Sequence, residues 1–139
     1  MTRPFTSSLP FNVRYAETDQ MGVAHHSQHV VWFEMARVQY MKDLGAPYSE
    51  VEKAGVYLVV TSVGVRYRRP AYFDEELVVS CWVEDLRSRM VRFAYSLERA
   101  ADGSLVAEGH SEHIATDRSR RTVAIPQYLR AAIESAPGT

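Results

Sequence analysis

The stretch from Tyr15 to Leu44, YAETDQMGVAHHSQHVVWFEMARVQYMKDL, decides the fold because it contains the longest helical pattern of the chain. Positions spaced three and four residues apart form two adjoining stripes: Val30, Phe33, Ala36, Arg37, Tyr40 and Leu44, and beside them Val31, Met35 and Val38. This spacing predicts a helix over Gln28–Leu44, and the width of its apolar face predicts that most of its sides are covered. We expect Ser27 to cap the start of the helix, and Gly45 and Pro47 to end it.

A polar loop with chemically useful side chains leads directly into this helix. The loop contains Asp19, Gly22, His25 and His26. The first backbone N–H groups of a helix have no partner within the helix, and they give its start a partial positive charge. A carboxylate and imidazoles beside a helix start therefore predict a site that can bind an anion or stabilise an oxyanion.

Size and composition indicate a single globular domain. The chain has 139 residues, of which 46% are hydrophobic, and this is enough to bury one core. A net charge of −1 gives no general attraction to nucleic acid or to a membrane surface. The lone cysteine, Cys81, excludes an internal disulfide and fits a reducing cytoplasm. Neither a signal peptide nor an apolar run approaching about 18 residues is visible.

Much of the remaining chain alternates between apolar and polar residues with a period of two, which indicates β-strands. We predict strands at Phe11–Ala16, Tyr57–Arg68, Leu77–Leu86, Met90–Arg99 and Leu105–Thr116, and a terminal helix at Gln127–Ile133. Residues 1–9 and 135–139 are expected to be flexible. Short connections, such as Asp102-Gly103, imply an antiparallel sheet, and the long helix is the element available to cover its apolar face. The sequence therefore predicts an α+β fold, with a five-stranded antiparallel sheet wrapped around one long central helix.

The strand Tyr57–Arg68 is expected at an open edge of this sheet, because the segment before it, Gly45–Val56, is a loop. The strand is rich in valine and has no internal proline, so nothing in it blocks pairing with another edge. Two copies joined edge to edge about a two-fold axis would form one continuous sheet. This predicts a homodimer.

Four segments carry a resemblance to a known family. They are VRYAETDQMGVAHH (13–26), WFEMAR (32–37), RYRRPAYFDEEL (66–77) and AEGHSEH (107–113), and the resemblance extends from Pro10 to Leu129. Together they resemble the hotdog-fold acyl-CoA thioesterases of the 4-hydroxybenzoyl-CoA thioesterase type. The resemblance implies the hotdog fold, hydrolysis of an acyl-CoA thioester without a cofactor, and a homodimer or a dimer of dimers with sites between subunits.

The same resemblance assigns roles in the loop. Asp19 matches the catalytic acid of the family motif and is expected to act as general base or nucleophile; the alternative is a turn or helix-capping aspartate. His26 matches the family's histidine, and the backbone N–H near it is the expected oxyanion donor. Gly22 and His25 are expected to contact substrate, although His25 stands where the family has tyrosine. Glu17 is expected to be solvated.

Two further groups of residues are expected to bind substrate. Arg87, Ser88 and Arg89 form a predicted tight turn, and a turn offers backbone N–H groups and guanidinium groups to the coenzyme A phosphates. Other arginines cluster at 66–69 and 118–121. Thr61, Ser62 and Val63 of the second subunit are expected to line the acyl site.

Three alternatives remain open. Glu34 is a rival catalytic carboxylate, because some hotdog enzymes place theirs on the central helix, but pairing with Arg37 is the favoured interpretation. A metal-dependent hydrolase would use His25, His26 and His29, but a zinc site needs a further suitable ligand, and no metal is predicted. A non-catalytic protein that binds acyl-CoA or an aromatic ligand could share the fold. A phosphate-binding Gly-rich loop and a Gly-x-Ser-x-Gly motif are absent from the sequence.

Overall fold

The sheet of this protein has the strand order β1-β3-β4-β5-β2, with every neighbouring pair antiparallel. The structure, a computed structural model, describes residues 4–138. Its strands are β1 (Thr6–Asn12), β2 (Tyr57–Tyr67), β3 (Glu76–Leu86), β4 (Met90–Arg99) and β5 (Leu105–Thr116). Its helices are α1 (Gln28–Asp43), α2 (Tyr48–Lys53) and α3 (Gln127–Ser135), with a 3-10 turn at Tyr15–Glu17. The predicted α+β hotdog arrangement, a five-stranded sheet around one central helix, is confirmed.

Helix α1 packs onto the sheet through its aromatic side chains. Trp32 is completely buried, and the ring of Phe33 stacks on that of Tyr95, with centroids 4.6 Å apart and planes 6° from parallel. Gly109, which pairs with Tyr95 across β4 and β5, leaves room for this stack. A Cβ at Gly109 would lie 2.6 Å from the Phe33 ring and would collide with the carbonyl oxygen of Gly64. The close approach of α1 to the sheet therefore requires glycine at position 109.

The first strand begins earlier than predicted. β1 covers Thr6–Asn12, so the predicted strand at Phe11–Ala16 is wrong for its second half, and residues 6–9 are paired with β3 instead of flexible. The chain leaves the strand before Tyr15 because the Glu17 carboxylate accepts the backbone N–H of Arg14 at 2.7 Å and closes a 3-10 turn. Residues 1–3 and 139, also predicted to be flexible, lie outside the described residues, and α3 extends to Ser135.

The predicted helix is confirmed within one residue, but its start and its surroundings differ from the prediction. Ser27 has helical backbone angles, and its hydroxyl bonds to Nδ1 of His25 at 2.8 Å instead of capping the helix. Only one face of α1 is buried in the chain: Val30 and Val31 remain 39% and 43% exposed. The expectation that α1 is covered on most sides is therefore wrong for a single chain, because the sheet curls around one side of it.

Strand β2 lies at the edge of the sheet, as predicted, with β5 as its neighbour. Its register with β5 shifts between Val60 and Ser62, so Thr61 is a bulge residue. The bulge breaks the simple alternation expected for this strand. As a result Val60 and Val63, three positions apart, face the same cavity beside α1.

In the described part of the chain, none of the helices is both long enough and apolar enough to cross a membrane.

Candidate active site

Asp19 begins a tight turn in the loop that leads to α1. The backbone N–H of Asp19 donates to the Val23 carbonyl at 2.8 Å, and the N–H of Gly22 donates to the Asp19 carbonyl at 3.1 Å. Gly22 has a φ of 78°, which suits glycine, and this allows the chain to reverse there. One carboxylate oxygen of Asp19 accepts the Met21 N–H at 2.8 Å, and the side chain is otherwise exposed. Asp19 therefore presents its second oxygen to solvent at a fixed position.

His25 and His26 occupy the junction between this loop and α1. Their rings stack with centroids 4.0 Å apart. The N–H of His25 donates to the Glu17 carbonyl at 2.8 Å, and that of Ser27 donates to His25 Nδ1 at 3.2 Å. Within residues 4–138, no acceptor is paired with the backbone N–H of His26. This junction thus offers a free backbone donor at the start of the helix.

Residues at the C-terminal end of β2 and just after it hold this junction in place. The hydroxyl of Tyr67 donates to the His26 carbonyl at 2.7 Å. The Ala24 N–H donates to the Ala71 carbonyl, just after β2, at 2.7 Å. These two contacts fix the helix start against the sheet. No local pattern marks Tyr67 for this role, because it is one more residue of a predicted strand.

Glu17 lies beneath the loop and is only 4% exposed, so the expectation that it is solvated is wrong. Its carboxylate accepts the Trp32 indole N–H at 2.8 Å as well as the Arg14 N–H. Burial alone would raise the pKa of Glu17, but these two hydrogen bonds and the Arg14 guanidinium hold it below its ordinary value. Glu17 is therefore a buried carboxylate that joins the loop to α1.

His29 is buried on the first turn of α1, between Trp32 and Tyr67, with ring centroids 5.0 and 4.7 Å away. Burial lowers the pKa of His29, and the nearby His26 adds to this decrease. His26 and His29 line a cavity of about 270 Å³ next to the end of β2. Across the described residues, no three His, Cys, Asp or Glu side chains are arranged to hold a metal ion.

A second cavity, of about 200 Å³, lies between α1 and the edge strand β2. It is lined by Val30, Phe33, Glu34, Arg37, Val60, Val63, Tyr95 and Ser111. The favoured pairing of Glu34 with Arg37 is wrong: Arg37 donates to the hydroxyls of Tyr48 at 3.0 Å and Tyr95 at 3.2 Å. Glu34 is exposed, and no carboxylate of the described chain forms a salt bridge with Arg37. The long side chain of Arg37 instead reaches across to the sheet.

Of the three β2 residues expected at the acyl site, Val63 lines this cavity and Thr61 and Ser62 do not. The Thr61 hydroxyl donates to the Glu112 carbonyl at 3.2 Å, in keeping with its place in the bulge. Val60, Tyr95 and Ser111 also line this cavity and were not predicted from the sequence. Alternation along β4 and β5 was enough to place Tyr95 and Ser111 on inward faces, but a bulge leaves no comparable pattern.

The predicted phosphate-binding turn lies at the other end of the sheet from the Asp19 loop. The carbonyl of Arg89 accepts the Ala115 N–H at the end of β5, and that of Ser88 accepts the Ile125 N–H, at 3.0 and 2.8 Å. The Asp19 loop is anchored past the opposite end of β2, roughly 35 Å away along the strand. The side chains of Arg87, Ser88 and Arg89 are exposed, and Arg87 pairs with Asp85 at 3.0 Å. Arg87–Arg89 and Asp19 of one chain are thus far apart.

Comparison with known proteins identifies the family. A family model for the thioesterase-like superfamily matches residues 13–133. YneP of Bacillus subtilis is 38% identical over 112 residues, which cover 81% of this chain and 80% of YneP. The acyl-CoA thioesterase YbgC of Haemophilus influenzae is 26% identical over 127 residues, covering 90% of this chain and 92% of that protein. The chain belongs to the hotdog-fold acyl-CoA thioesterases.

A solved structure supports the same assignment. The DHNA-CoA thioesterase of Staphylococcus aureus is 31% identical and superposes with a TM-score of 0.85, covering 93% of this chain and 87% of that one. The family resemblance seen in the sequence is therefore confirmed for this thioesterase.

Proposed function

We propose that this thioesterase hydrolyses an acyl-CoA thioester whose carbonyl lies over the start of α1, beside Asp19. The observation that carries the proposal is the junction itself. It combines an exposed carboxylate, anchored through one oxygen to the Met21 N–H, with the free backbone N–H of His26. A carboxylate and an N–H donor on one rigid loop are the two groups that acyl transfer from a thioester requires.

The His26 N–H and the positive end of α1 would stabilise the oxygen of the thioester carbonyl as it gains negative charge. The Tyr67 hydroxyl supports this role, because it holds the His26 carbonyl and so orients the peptide groups of the junction. The stacked ring of His25 borders the same place, where the family has tyrosine. Gly22 allows the turn that presents Asp19.

Two reaction mechanisms are compatible with an exposed aspartate. As general base, Asp19 removes a proton from water, the water oxygen bonds to the carbonyl carbon, and coenzyme A leaves as its thiolate. As nucleophile, an Asp19 oxygen bonds to that carbon and expels the thiolate, and water then hydrolyses the resulting anhydride. Neither mechanism uses a metal or a redox cofactor.

A second copy of the chain would complete the site. Val60 and Val63 of edge strand β2 and Val30 of α1 are exposed and line the same cavity, so they form an apolar surface beside an unpaired strand edge. Such a surface and edge favour pairing with an identical copy. The acyl group over Asp19 of one chain would then be enclosed by Thr61, Ser62 and Val63 of the second.

Dimerisation would also account for the distance to the predicted phosphate-binding turn. Two antiparallel copies of β2 run in opposite directions, so the turn at Arg87–Arg89 of one copy faces the Asp19 end of the other. The phosphates of coenzyme A would bind Arg87, Ser88 and Arg89 across the interface. The names of the relatives support coenzyme A esters as substrates, because YbgC is an acyl-CoA thioesterase.

A panel of acyl-CoA esters, assayed with a thiol reagent with and without EDTA, tests this function. Release of coenzyme A that is insensitive to EDTA is expected for at least one acyl group. Tight binding of acyl-CoA without release of thiol would show a binding protein instead, and loss of activity with EDTA would show a metal-dependent hydrolase.

A further inference from the structure

A line of hydrogen-bonded polar side chains crosses the core beneath α1. The Arg37 guanidinium donates to the Tyr95 hydroxyl at 3.2 Å, which lies 2.5 Å from Oγ of Ser111, which in turn lies 2.8 Å from Nε2 of His113. Tyr95, Ser111 and His113 are 1%, 2% and 0% exposed. Burying three polar side chains together, with a half-buried arginine beside them, is costly unless each is satisfied, so their arrangement calls for an explanation.

The bonding within this line follows from its donors and acceptors. Arginine can only donate, so the Tyr95 oxygen accepts from Arg37. Burial, with the charge of Arg37 adding to it, lowers the pKa of His113 to about 4, so its ring is neutral at pH 7. Within residues 4–138, Nδ1 of His113 has no hydrogen-bond partner, and Nε2 bonds to Ser111 as donor or acceptor according to the tautomer. One of the two hydroxyls of Tyr95 and Ser111 donates to the other.

Part of the hydrogen-bonding capacity of this line remains for a ligand. The hydroxyls of Tyr95 and Ser111 each keep a hydrogen-bonding position that these bonds do not use, and Arg37 keeps N–H groups beyond the two that bond to Tyr48 and Tyr95. Within residues 4–138, no carboxylate neutralises Arg37 by a salt bridge. The line therefore ends in unused hydrogen-bonding capacity and an uncompensated positive charge.

This capacity faces the cavity between α1 and β2. Arg37, Tyr95 and Ser111 form its polar part, whereas Val30, Val60 and Val63 are its exposed apolar part. Val30 follows His26 by four positions, a rise of about 6 Å along the helix. Arg37 lies further along α1, and its guanidinium bonds to Tyr95 and Tyr48 where it lines the cavity. An acyl group that begins at His26 would therefore pass the valines and end at the polar part.

We propose that Arg37, Tyr95 and Ser111 determine acyl specificity, and that this thioesterase prefers acyl chains with a terminal hydroxyl or carboxylate over hydrocarbon chains of equal length. This inference rests on the proposed function. A hydrocarbon terminus would shield the unused donors of Arg37 from water without replacing their hydrogen bonds, which penalises it. A terminal oxygen would accept from Arg37, and a terminal hydroxyl would also bond to the hydroxyl of Tyr95 or Ser111.

The test compares kcat/KM for hexanoyl-CoA, its ω-hydroxy derivative and adipoyl-CoA, which share one chain length. The wild type is expected to favour at least one oxygenated substrate by about tenfold or more. Preference for adipoyl-CoA would assign recognition to the charge of Arg37. Preference for the hydroxy derivative would assign it to Tyr95 and Ser111, with the exposed Glu34 repelling a carboxylate.

Tyr95→Phe and Ser111→Ala are expected to bring the kcat/KM ratio of the ω-hydroxy derivative to hexanoyl-CoA close to one. Tyr40→Phe and Ser96→Ala are the matched controls, because Tyr40 is buried elsewhere on α1 and Ser96 does not line this cavity. They should keep the wild-type ratio. Circular dichroism verifies that each variant folds. If Tyr95→Phe does not fold, the test rests on Ser111→Ala, which is the smaller change.

Three results would overturn the inference. A wild type that favours hexanoyl-CoA or shows no preference contradicts it directly. A folded Ser111→Ala or Tyr95→Phe protein with the wild-type ratio contradicts the role of the hydroxyls. Failure of the wild type to hydrolyse any acyl-CoA would overturn the proposed function as well, so the two failures are distinguishable.

Discussion

At the scale of single residues, Glu17 is what joins the Asp19 loop to the helix. It closes the turn before the loop through Arg14 and meets the buried indole of Trp32 on α1. A carboxylate that accepts such bonds within the core stabilises the fold only while it is ionised. The loop that presents Asp19 thus depends on an acid two residues before it in the sequence.

Glu17→Gln should lower stability at neutral pH by about 1–3 kcal/mol, because the amide cannot replace the charge-assisted bonds. The folded pKa of Glu17 lies below its ordinary value of 4.5, so its contribution is present above that value and is lost as pH falls through the folded pKa. Thermal unfolding measured from neutral to acid pH should therefore show the wild type and variant converging in acid. Glu52→Gln, an exposed change on α2, is the control, and a difference that is constant with pH would contradict this role.

At the scale of elements, the position of α1 depends on the space above Gly109. The Phe33 ring fills that space, stacked on Tyr95, and this brings Val30 and Arg37 of the same helix to the cavity beside β2. The shape of the candidate acyl cavity therefore depends on this contact between the helix and the sheet.

Gly109→Ala is expected to cost about 1–3 kcal/mol, since the methyl group would overlap the Gly64 carbonyl and the Phe33 ring. Denaturant unfolding measures this change. Gly103 lies at an open turn with a φ of 72°, so Gly103→Ala introduces backbone strain without crowding. It should lower the free energy of unfolding by less than Gly109→Ala does. Equal effects of the two substitutions would show that crowding at Gly109 is unimportant.

The elements differ in how well the sequence predicts them. The ends of β3, β4 and β5 agree with prediction within one residue, because alternation and the Asp102-Gly103 turn define them locally. β1 was misplaced because its pairing with β3, through contacts such as Ser8 with Ser80 at 2.8 Å, is long-range and leaves no local pattern. Pro10 fits there because an edge strand can spare one N–H.

The candidate site was predictable to the extent that it follows the family motif. Asp19, His25 and His26 could be named because they are adjacent in sequence. The line from Arg37 to His113 could not be assembled, since α1, β4 and β5 bring its members together only in the fold. The burial of Glu17 was likewise hidden, because its partner Trp32 lies 15 positions away.

At the scale of the whole molecule, the proposed site requires two copies of the chain. Val63 is 44% exposed on the edge strand, next to the cavity proposed for the acyl group. Val63→Arg should shift a dimer toward monomer, because it places a charge in the apolar surface, and activity should fall with it. Sedimentation at micromolar concentration measures the shift. Ser80→Arg, on a central strand away from this edge, is the control, and a monomer with full activity would contradict a shared site.

A mixed dimer tests sharing directly. Chains carrying Asp19→Asn and chains blocked by a bulky residue at Thr61, which is exposed and does not line the cavity of its own chain, should regain activity at about one site when combined. If mixing restores nothing while dimers form, each site belongs to a single chain.

The double change Arg87→Ala and Arg89→Ala should raise KM for acyl-CoA more than for a short pantetheine thioester, which lacks the nucleotide phosphates. High salt should reduce the difference, because these guanidinium groups are exposed and screened. Arg118→Ala with Arg120→Ala is a matched pair in another exposed loop. Equal effects on both substrates would show that Arg87 and Arg89 do not bind phosphate.

The most direct test of the central claim is the turnover of Asp19→Asn measured with the best acyl-CoA of the panel. Asparagine keeps the turn to Met21 but can act neither as base nor as nucleophile, so turnover should fall by about 100-fold or more while unfolding is unchanged. Glu34→Gln, measured beside it, should retain far more activity. A folded Asp19→Asn protein with near wild-type turnover would contradict the account, and loss of activity in Glu34→Gln instead would move catalysis onto α1.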